Sequence, residues 1–206
     1  MLESRYAISR LMLLAIPLLT TCSIHTPFSL AKNQSSPKWR AHQQSLSILS
    51  YYQTCGAFAY FSRQKKIYAR FNWTQINADH YQLILTNPLG STEISLNVQS
   101  GVAELVNNQG KRYVSNSPEV IIQKLTGMSI PLDNLRQWML GLPGNATNFT
   151  IDSCGYLHTL NYSHNEQRWI VIYQGYHDNT FPALPSNLEL RQGDNRIKLK
   201  MDSWRL

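Results

Sequence analysis

Residues 81–98, "YQLILTNPLGSTEISLNV", have the pattern of a β-hairpin, in which two strands fold back on each other through a short turn. Apolar and polar residues alternate on both sides of the turn, as they do in strands with one buried face. The apolar positions are Tyr81, Leu83 and Leu85 before the turn and Ile94, Leu96 and Val98 after it. The stretch therefore predicts antiparallel β-structure with one side facing a core.

The turn of this hairpin carries an unusual residue. Asn87, Pro88 and Gly90 are turn-forming residues, because proline fixes φ and glycine tolerates positive φ. Leu89 lies among them, although loop tips are normally polar. Either this leucine folds back onto its own sheet or it contacts something other than water. We expect the second, because its neighbours in the turn offer little to cover it.

The same alternation continues in both directions from this hairpin. Six short strands are predicted between residues 56 and 114 and five more between residues 148 and 204. The predicted strands are 56–62, 67–73, 81–87, 92–98, 102–107, 111–114, 148–152, 156–163, 168–176, 187–192 and 196–204. Consecutive short strands with turn residues between them indicate an antiparallel meander that curls into a sandwich or barrel.

Three helices are predicted around these strands. The first begins near Pro37 and has apolar residues at helical spacing, and the second has Ser117 as N-cap, Pro118 at its first position and Gly127 at its end. The third carries an apolar stripe of Leu132, Leu135, Trp138, Met139 and Leu142. We expect an α+β fold: one strongly curved antiparallel sheet of about eleven strands, an open half-barrel, with three helices on its concave side.

The N-terminus has the layout of an export signal. Arg5 and Arg10 precede an apolar run that is too short to span a bilayer comfortably, and the run ends at Cys22. A cysteine in this place resembles the lipobox of bacterial lipoproteins, although Thr21 stands where glycine or alanine is usual. We expect residues 1–21 to be a lipoprotein signal peptide, Cys22 to be lipidated, and 22–37 to be a flexible tether before a domain at 38–206. The alternative is an ordinary signal peptide with a chance cysteine.

Composition limits the other classes of function. The chain has 206 residues, 43% hydrophobic and 15% charged, which suits one folded domain, and its formal net charge is +7. A basic surface attracts anionic lipid or an acidic protein as readily as nucleic acid, and no nucleic-acid-binding motif is present, so nucleic acid is not expected. Cys55 and Cys154 are expected to be unpaired thiols.

No pattern of catalytic residues is evident in the sequence. The six histidines form no His-Glu-x-x-His motif, and neither a Gly-x-Ser-x-Gly elbow nor a phosphate-cradling glycine loop occurs. We therefore expect neither an enzyme nor a metal site nor a cofactor.

The apolar residues that face inward are the candidate binding residues. A curved sheet has a concave face that helices do not always fill, and bulky aromatics with leucine and methionine leave gaps for a flexible apolar ligand. From the alternation pattern alone, core and cavity remain equally open. The candidates are Phe58, Tyr60, Phe71, Trp73, Leu83, Leu85, Leu96 and Trp138.

Several segments resemble the LolB family of outer-membrane lipoproteins. The resemblance rests on "WRAHQQSLSILSYYQTCGAFAY", "KIYARFNW", "YQLILTNPLGSTEISLN", "KLTGMSIPLDNLRQWMLGLPG", "LPSNLEL" and "RIKLKMDSW", and it extends from about Trp39 to Leu206. It implies a half-barrel of LolA/LolB type with a helical lid and an apolar cavity for acyl chains. It also implies that Leu89, with Pro88 and Gly90, matches the protruding leucine of a membrane-insertion loop.

The resemblance also implies a function. A member of this family is lipid-anchored in the outer membrane, faces the periplasm, accepts acylated lipoproteins from the LolA carrier and inserts them into the inner leaflet of the outer membrane. We expect it to act as a monomer and without nucleotide. Two alternatives remain open: a lipocalin-like binder of a small hydrophobic ligand, and a structural outer-membrane lipoprotein that docks a peptide from a partner.

Overall fold

The computed structural model describes residues 36–164 and 166–206, so the predicted signal peptide, Cys22 and most of the tether lie outside the described residues. The described chain forms eleven strands and three helices. In chain order they are α1 (Pro37–Ser47), β1 (Tyr52–Phe61), β2 (Lys66–Asn77), β3 (His80–Thr86), β4 (Thr92–Gln99), β5 (Val102–Asn107), β6 (Arg112–Ser115), α2 (Pro118–Thr126), α3 (Leu132–Leu140), β7 (Asn148–Ile151), β8 (Leu157–His164), β9 (Gln167–His177), β10 (Leu184–Gln192) and β11 (Asn195–Arg205).

All eleven strands belong to one sheet with the order β6-β5-β4-β3-β2-β1-β11-β10-β9-β8-β7. Every neighbouring pair is antiparallel, and each half of the sheet is a simple meander. The first and last strands of the chain meet in the middle, whereas β6 and β7 form the two outer edges. The predicted open antiparallel half-barrel with three helices is confirmed.

The centre of the sheet requires a glycine. The register between β1 and β11 shifts at Gly56, and an added Cβ there would lie 1.8 Å from the carbonyl oxygen of Lys200. No side chain fits that space, so only glycine lets the two central strands come together with this bulge. The meanders built from the two ends of the chain are joined at this seam.

The helices begin and end largely where the sequence predicts. Pro118 opens α2, and Gly127 at φ 70° closes it with a hydrogen bond from its N–H to the carbonyl of Gln123. The predicted capping role of Ser117 is wrong in one respect. Its hydroxyl makes no hydrogen bond to the helix backbone and contacts the carboxylate of Glu119 at 3.2 Å instead.

Because the strands alternate in direction, the turns of the sheet lie at two opposite ends. One end, which we call the Leu89 end, carries the β1–β2, β3–β4, β5–β6, β8–β9 and β10–β11 turns together with the C-terminus of α2. The other, the far end, carries the remaining turns and α1, whose Lys38 touches Gly155 in the β7–β8 turn. None of the three described helices is long and apolar enough to cross a membrane. Cys55 and Cys154 are both free thiols.

Candidate functional site: an apolar cavity and its mouth

A cavity of about 40 Å³ lies between the sheet and the helices α2 and α3. The sheet contributes residues of β1, β2, β3 and β11, and the helical layer contributes both helices and the link between them. Every side chain on the wall is apolar, and the set is Phe58, Phe71, Trp73, Leu83, Leu85, Ile122, Met128, Ile130, Leu132, Leu135, Met139, Ile197 and Leu199. Such a wall can hold a hydrocarbon but offers nothing to orient a polar ligand.

The structure places five of the eight predicted cavity residues on this wall. They are Phe58, Phe71, Trp73, Leu83 and Leu85, all at inward positions of β1, β2 and β3. The strand register places four of them directly opposite each other, since Phe71 pairs with Leu85 and Trp73 pairs with Leu83 on the neighbouring strand. The inward alternation that the sequence predicts therefore places these side chains together.

Tyr60, Leu96 and Trp138, the other three predicted cavity residues, are buried but do not line this cavity. Tyr60 lies closer to the Leu89 end, beneath the ammonium of Lys65 at 6.0 Å from its ring centre. Leu96 is one strand further out, on β4, packed between Leu83 and Leu105. They are core residues of the same face, and the alternation pattern alone cannot separate core from cavity.

The side chain of Trp138 points in a different direction from the cavity-facing side chains of α3. Its indole N–H donates to the carbonyl of Pro143 at 3.2 Å, and its ring packs edge-on against Tyr162 at 5.5 Å. Leu132, Leu135 and Met139 are spaced three and four residues apart and face the cavity, whereas Trp138 packs beneath β8 and β9. One step along the helix changes the direction of a side chain by about 100° at 3.6 residues per turn.

Sequence reasoning did not assign several wall residues to the cavity. Leu132, Leu135 and Met139 belong to the stripe that predicted α3, and Ile197 and Leu199 belong to the alternation of β11, so their signal was visible. Ile122, Met128 and Ile130 come from α2 and from the link between the helices. The link has no periodicity, and only the packed structure shows that it forms part of the cavity roof.

The polar atoms of the wall side chains point away from the cavity. The indole N–H of Trp73 donates to the side-chain oxygen of Gln75 at 3.3 Å, and its ring stacks on Tyr81 at 4.9 Å. Burial raises the pKa of Tyr81, opposed by the positive charge of Arg136, whose guanidinium lies 4.9 Å from the ring centre. Tyr81 therefore stays a neutral phenol at physiological pH, and the arrangement supplies no acid, base or nucleophile to the cavity.

A groove of about 560 Å³ at the Leu89 end leads to the cavity. The two spaces share Phe58, Leu85 and Met128, so these side chains separate the groove from the interior. We call this groove the mouth. Lys65, from the β1–β2 turn, crosses the mouth and donates a hydrogen bond to the carbonyl oxygen of Thr126 at the C-terminus of α2.

The loop that carries Leu89 borders the mouth through Asn87. The side-chain oxygen of Asn87 accepts hydrogen bonds at 3.0 Å from the backbone N–H groups of Leu89 and Ser91, and its amide donates to Glu93 at 2.9 Å. Gly90 takes a φ of 91°, which favours glycine. This loop holds Leu89 away from the sheet, and its side chain is 93% exposed.

The fold and the cavity define a class of protein: open half-barrels with an apolar interior beneath a helical lid. A LolA superfamily protein from Nitrosomonas europaea has the same fold, with a TM-score of 0.58 at 9% identity over 82% of this chain and 93% of that chain. A DUF1329 family protein from Desulfovibrio piger aligns with a TM-score of 0.51 at 7% identity, over 82% of this chain and 93% of its own. Likeness at this identity concerns the fold alone.

The sequence comparisons are more specific. The pattern of the family "Outer membrane lipoprotein LolB" matches residues 50–204. An outer-membrane lipoprotein LolB from Sodalis glossinidius is 74% identical over 204 residues, which cover 99% of both chains. Another, from Serratia proteamaculans, is 56% identical over 98% of both chains. The chain belongs to the LolB family, and this membership does not favour the lipocalin-like or structural alternatives.

Proposed function

We propose that this outer-membrane lipoprotein receives lipid-modified proteins from a LolA-type periplasmic carrier, shields their acyl chains in its cavity and releases them into the inner leaflet of the outer membrane. The main observation in support of this proposal is an entirely apolar cavity whose mouth lies at the same end as the exposed Leu89. Membership in the LolB family supports the same function. The chain does this as a monomer and without catalytic chemistry.

The size of the cavity implies that the lid moves. A cavity of about 150 Å³ binds a single benzene molecule, so the present 40 Å³ is too small for an acyl chain. Entry of a chain must separate the helical layer from the sheet. The contacts that break around the cavity are apolar, and an acyl chain replaces them with apolar contacts of its own. The exchange therefore costs little dispersion energy.

Energetics favour a relay over one very tight site. Each acyl CH₂ exposed to water costs ~0.8 kcal/mol, so three chains of about fifteen carbons cost on the order of 36 kcal/mol. Non-covalent affinity saturates near ~18–21 kcal/mol. A cavity that captured every methylene with full affinity could not release its cargo. The direction of cargo transport therefore comes from increasing affinity: the carrier binds the acyl chains more weakly than this chain does, and the bilayer binds them most strongly.

Lipid on Cys22 would anchor the chain, and the predicted domain limits allow Leu89 to reach the same membrane. The segment from Cys22 to the start of α1 has about fifteen residues and spans at most ~50 Å. The sheet is about 40 Å long, taking ~3.3 Å per residue for its longest strand, β2 of 12 residues. An anchor attached at the far end therefore still permits the Leu89 end to face the bilayer. Leu89 then separates lipid headgroups as the cargo enters.

A transfer assay tests this function. A loaded LolA-type carrier is mixed with the lipidated chain in vesicles, and an acyl-modified cargo is followed by fractionation. We expect the cargo to pass first to the chain and then to the vesicle lipid. Cargo that stays on the carrier would contradict the proposal. A tightly bound small molecule or peptide found by native mass spectrometry on the purified chain would contradict it as well.

A further inference from the structure

Exposed cations surround the Leu89 end of the barrel. They come from the β1–β2 turn and the start of β2, the β5–β6 turn, the last turn of α2, and the first residues of β9 and β11. In the described parts of the chain, six of them form no ion pair. These six, which we call the cationic rim, are Lys65, Lys66, Lys111, Lys124, Arg168 and Arg196.

Carboxylates at this end neutralise only part of the rim. In the turns and strand ends of this end that the structure describes, they are Glu93, Glu166 and Asp194. Asp194 pairs with Arg63, a cation outside the rim. Glu93 accepts hydrogen bonds from the neutral amides of Asn87 and Asn108 at 2.9 and 2.7 Å, and it keeps its negative charge in the lining of the mouth beside Lys65 and Lys66. In the described chain Glu93 and Glu166 form no ion pair, so two negative charges stand against the six rim cations and this end keeps a net positive charge.

The far end has a different balance. Carboxylates and cations are about equal in number among its described residues. The carboxylates are Asp79, Glu119, Asp133, Asp152 and Asp178, and the cations are Lys38, Arg40, Arg136 and Arg205. The positive charge of the molecule is thus concentrated at the end that carries Leu89. This polarity gives the molecule a preferred orientation next to an anionic surface.

The rim lies around the exposed apolar residue and the mouth. Lys65 and Lys66 line the mouth beside Asn87, at the base of the Leu89 loop. Tyr68, two residues along β2 from Lys66, is 57% exposed and packs edge-on against Phe61. A protruding leucine, an exposed tyrosine and surrounding lysines together are characteristic of a surface at the boundary between lipid and water.

We propose that the cationic rim binds the phosphate groups of anionic phospholipids in the receiving leaflet and thereby turns the mouth and Leu89 toward the bilayer. The rim cations come from separate elements on different sides of the mouth, which suits headgroups that move independently in a membrane. The inference rests on the proposed function for the role of the mouth. Binding through the rim, however, requires neither cargo nor carrier.

Vesicle binding tests the rim in the absence of both. The protein is the mature chain, residues 22–206, with Cys22→Ala, so that no lipid anchor forms and every residue that the structure describes is kept. Its partitioning is measured by flotation with vesicles of phosphatidylcholine alone and with vesicles of equal parts phosphatidylglycerol and phosphatidylcholine. We expect strong binding only to the anionic vesicles, and weakening as salt screens the charges.

A matched pair of variants locates the binding surface. Lys66→Gln, Lys111→Gln and Lys124→Gln together remove three rim cations that hold no ion pair in the described chain, and they leave Lys65 in place. Lys38→Gln, Arg40→Gln and Arg205→Gln remove the same charge from the far end. We expect the rim variant to partition about 100-fold more weakly onto anionic vesicles and the far-end variant to change little.

Three outcomes would overturn the proposal. The first is equal binding to neutral and anionic vesicles, and the second is equal loss in the two triple variants. The third is a rim variant that binds vesicles normally but fails to bind the carrier, since the rim would then serve a protein partner. Circular dichroism and thermal unfolding establish that both variants fold. Rim-dependent binding with failed cargo transfer would leave this inference standing and refute the proposed function instead.

Discussion

Leu89 and Phe181 are the two most exposed large apolar residues of the described chain, at 93% and 96% exposure. They lie at opposite ends of the barrel, since Leu89 is in the β3–β4 turn and Phe181 is in the β9–β10 loop. Burying one leucine contributes only ~1.5–3 kcal/mol, which is too little to anchor a protein. The position of Leu89 beside the mouth therefore matters more than its hydrophobicity.

Leu89→Glu should block release of cargo into vesicles. The side chain contacts little of the protein, so the free energy of unfolding should change by less than about 0.5 kcal/mol and cargo acceptance should persist. A carboxylate at the tip resists entry into the headgroup layer. The measurement is the amount of cargo in vesicle lipid against the amount held by the chain.

Phe181→Glu is the matched control for that experiment. It places the same charge on an equally exposed apolar residue at the far end. We expect wild-type transfer. If both variants transferred equally well, or both failed equally, a specific role of Leu89 would be ruled out.

His42 on α1 should make the fold sensitive to mild acid. Burial lowers its pKa and the charge of Asp152 partly opposes this, while the ring of Tyr156 packs 4.6 Å from the imidazole. Below the ordinary value of about 6.5 the unfolded chain binds the proton more readily than the folded one. The free energy of unfolding should therefore fall as the pH drops from about 6.5 toward the lowered pKa.

His42→Phe tests that sensitivity. It keeps an aromatic ring against Tyr156 and removes the titrating group. Urea unfolding between about pH 7.5 and pH 5 should show a smaller loss of stability in the variant than in the wild type. Identical slopes would assign the acid sensitivity to other groups.

At the level of elements, one loop conformation occurs three times in the sheet. Residues 87–91, 107–111 and 152–156 each begin with Asn or Asp, whose side-chain oxygen accepts N–H groups from the third and fifth residues. Each has a positive-φ glycine in fourth place. The third residue is exposed in every case and is Leu89, Gln109 or Cys154. The backbone conformation of the loop therefore makes the third residue protrude, and the sequence determines which side chain stands there.

Asn87→Ala should weaken insertion without changing Leu89 itself. It removes the acceptor that holds the N–H groups of Leu89 and Ser91 and the amide that contacts Glu93. We expect a loss of about 0.5–1.5 kcal/mol in stability for each bond that water does not replace, and a slower release of cargo. Faster amide exchange at the N–H groups of Leu89 and Ser91 should appear in the variant, and unchanged exchange would show that the Asn87 side chain does not hold the loop.

Lys65 joins the β1–β2 turn to the lid. Its ammonium donates to Thr126 at the C-terminus of α2, where a positive charge also complements the helix dipole. Lys65→Met keeps the aliphatic stem and loses this bond. We expect faster amide exchange at the end of α2 and faster uptake of an acyl probe. Unchanged exchange and uptake would mean that the lysine does not restrain the lid.

At the level of the whole molecule, the two halves of the barrel differ. The half around β1, β2 and β3 encloses the cavity, whereas the half around β8, β9 and β10 is bonded to α3, where the hydroxyl of Tyr173 donates to the carbonyl of Trp138 at 3.1 Å. This division gives one side that can yield to a ligand and one that keeps the sheet and helices together.

Two buried methionines, one on the cavity wall and one off it, allow a direct comparison. Met139 lines the cavity, and Met201 is equally buried on β11 but does not line it. Replacing either with alanine should cost about 2–5 kcal/mol in stability. Only Met139→Ala enlarges the cavity, so only that variant should take up a fluorescent fatty acid more readily. Equal uptake by both variants would mean that the fatty acid does not bind in this cavity.

The sequence by itself determined the local parts of this protein. Strand alternation depends on neighbours two residues apart, and the limits of α2 depend on Pro118 and Gly127, so eleven strands and three helices could be predicted from short windows. The turn at residues 87–91 and the protrusion of Leu89 follow from the same local chemistry.

Only the tertiary structure decided how the inward side chains divide between cavity and core. Tyr60, Leu96 and Trp138 have the same pattern as the cavity residues, but the curvature of the sheet and the rotation of α3 place them elsewhere. The contact of Lys65 with Thr126 joins residues 61 positions apart. Cavity shape and lid contacts depend on such distant pairs, which meet only when the whole sheet has curled, and no local pattern encodes them.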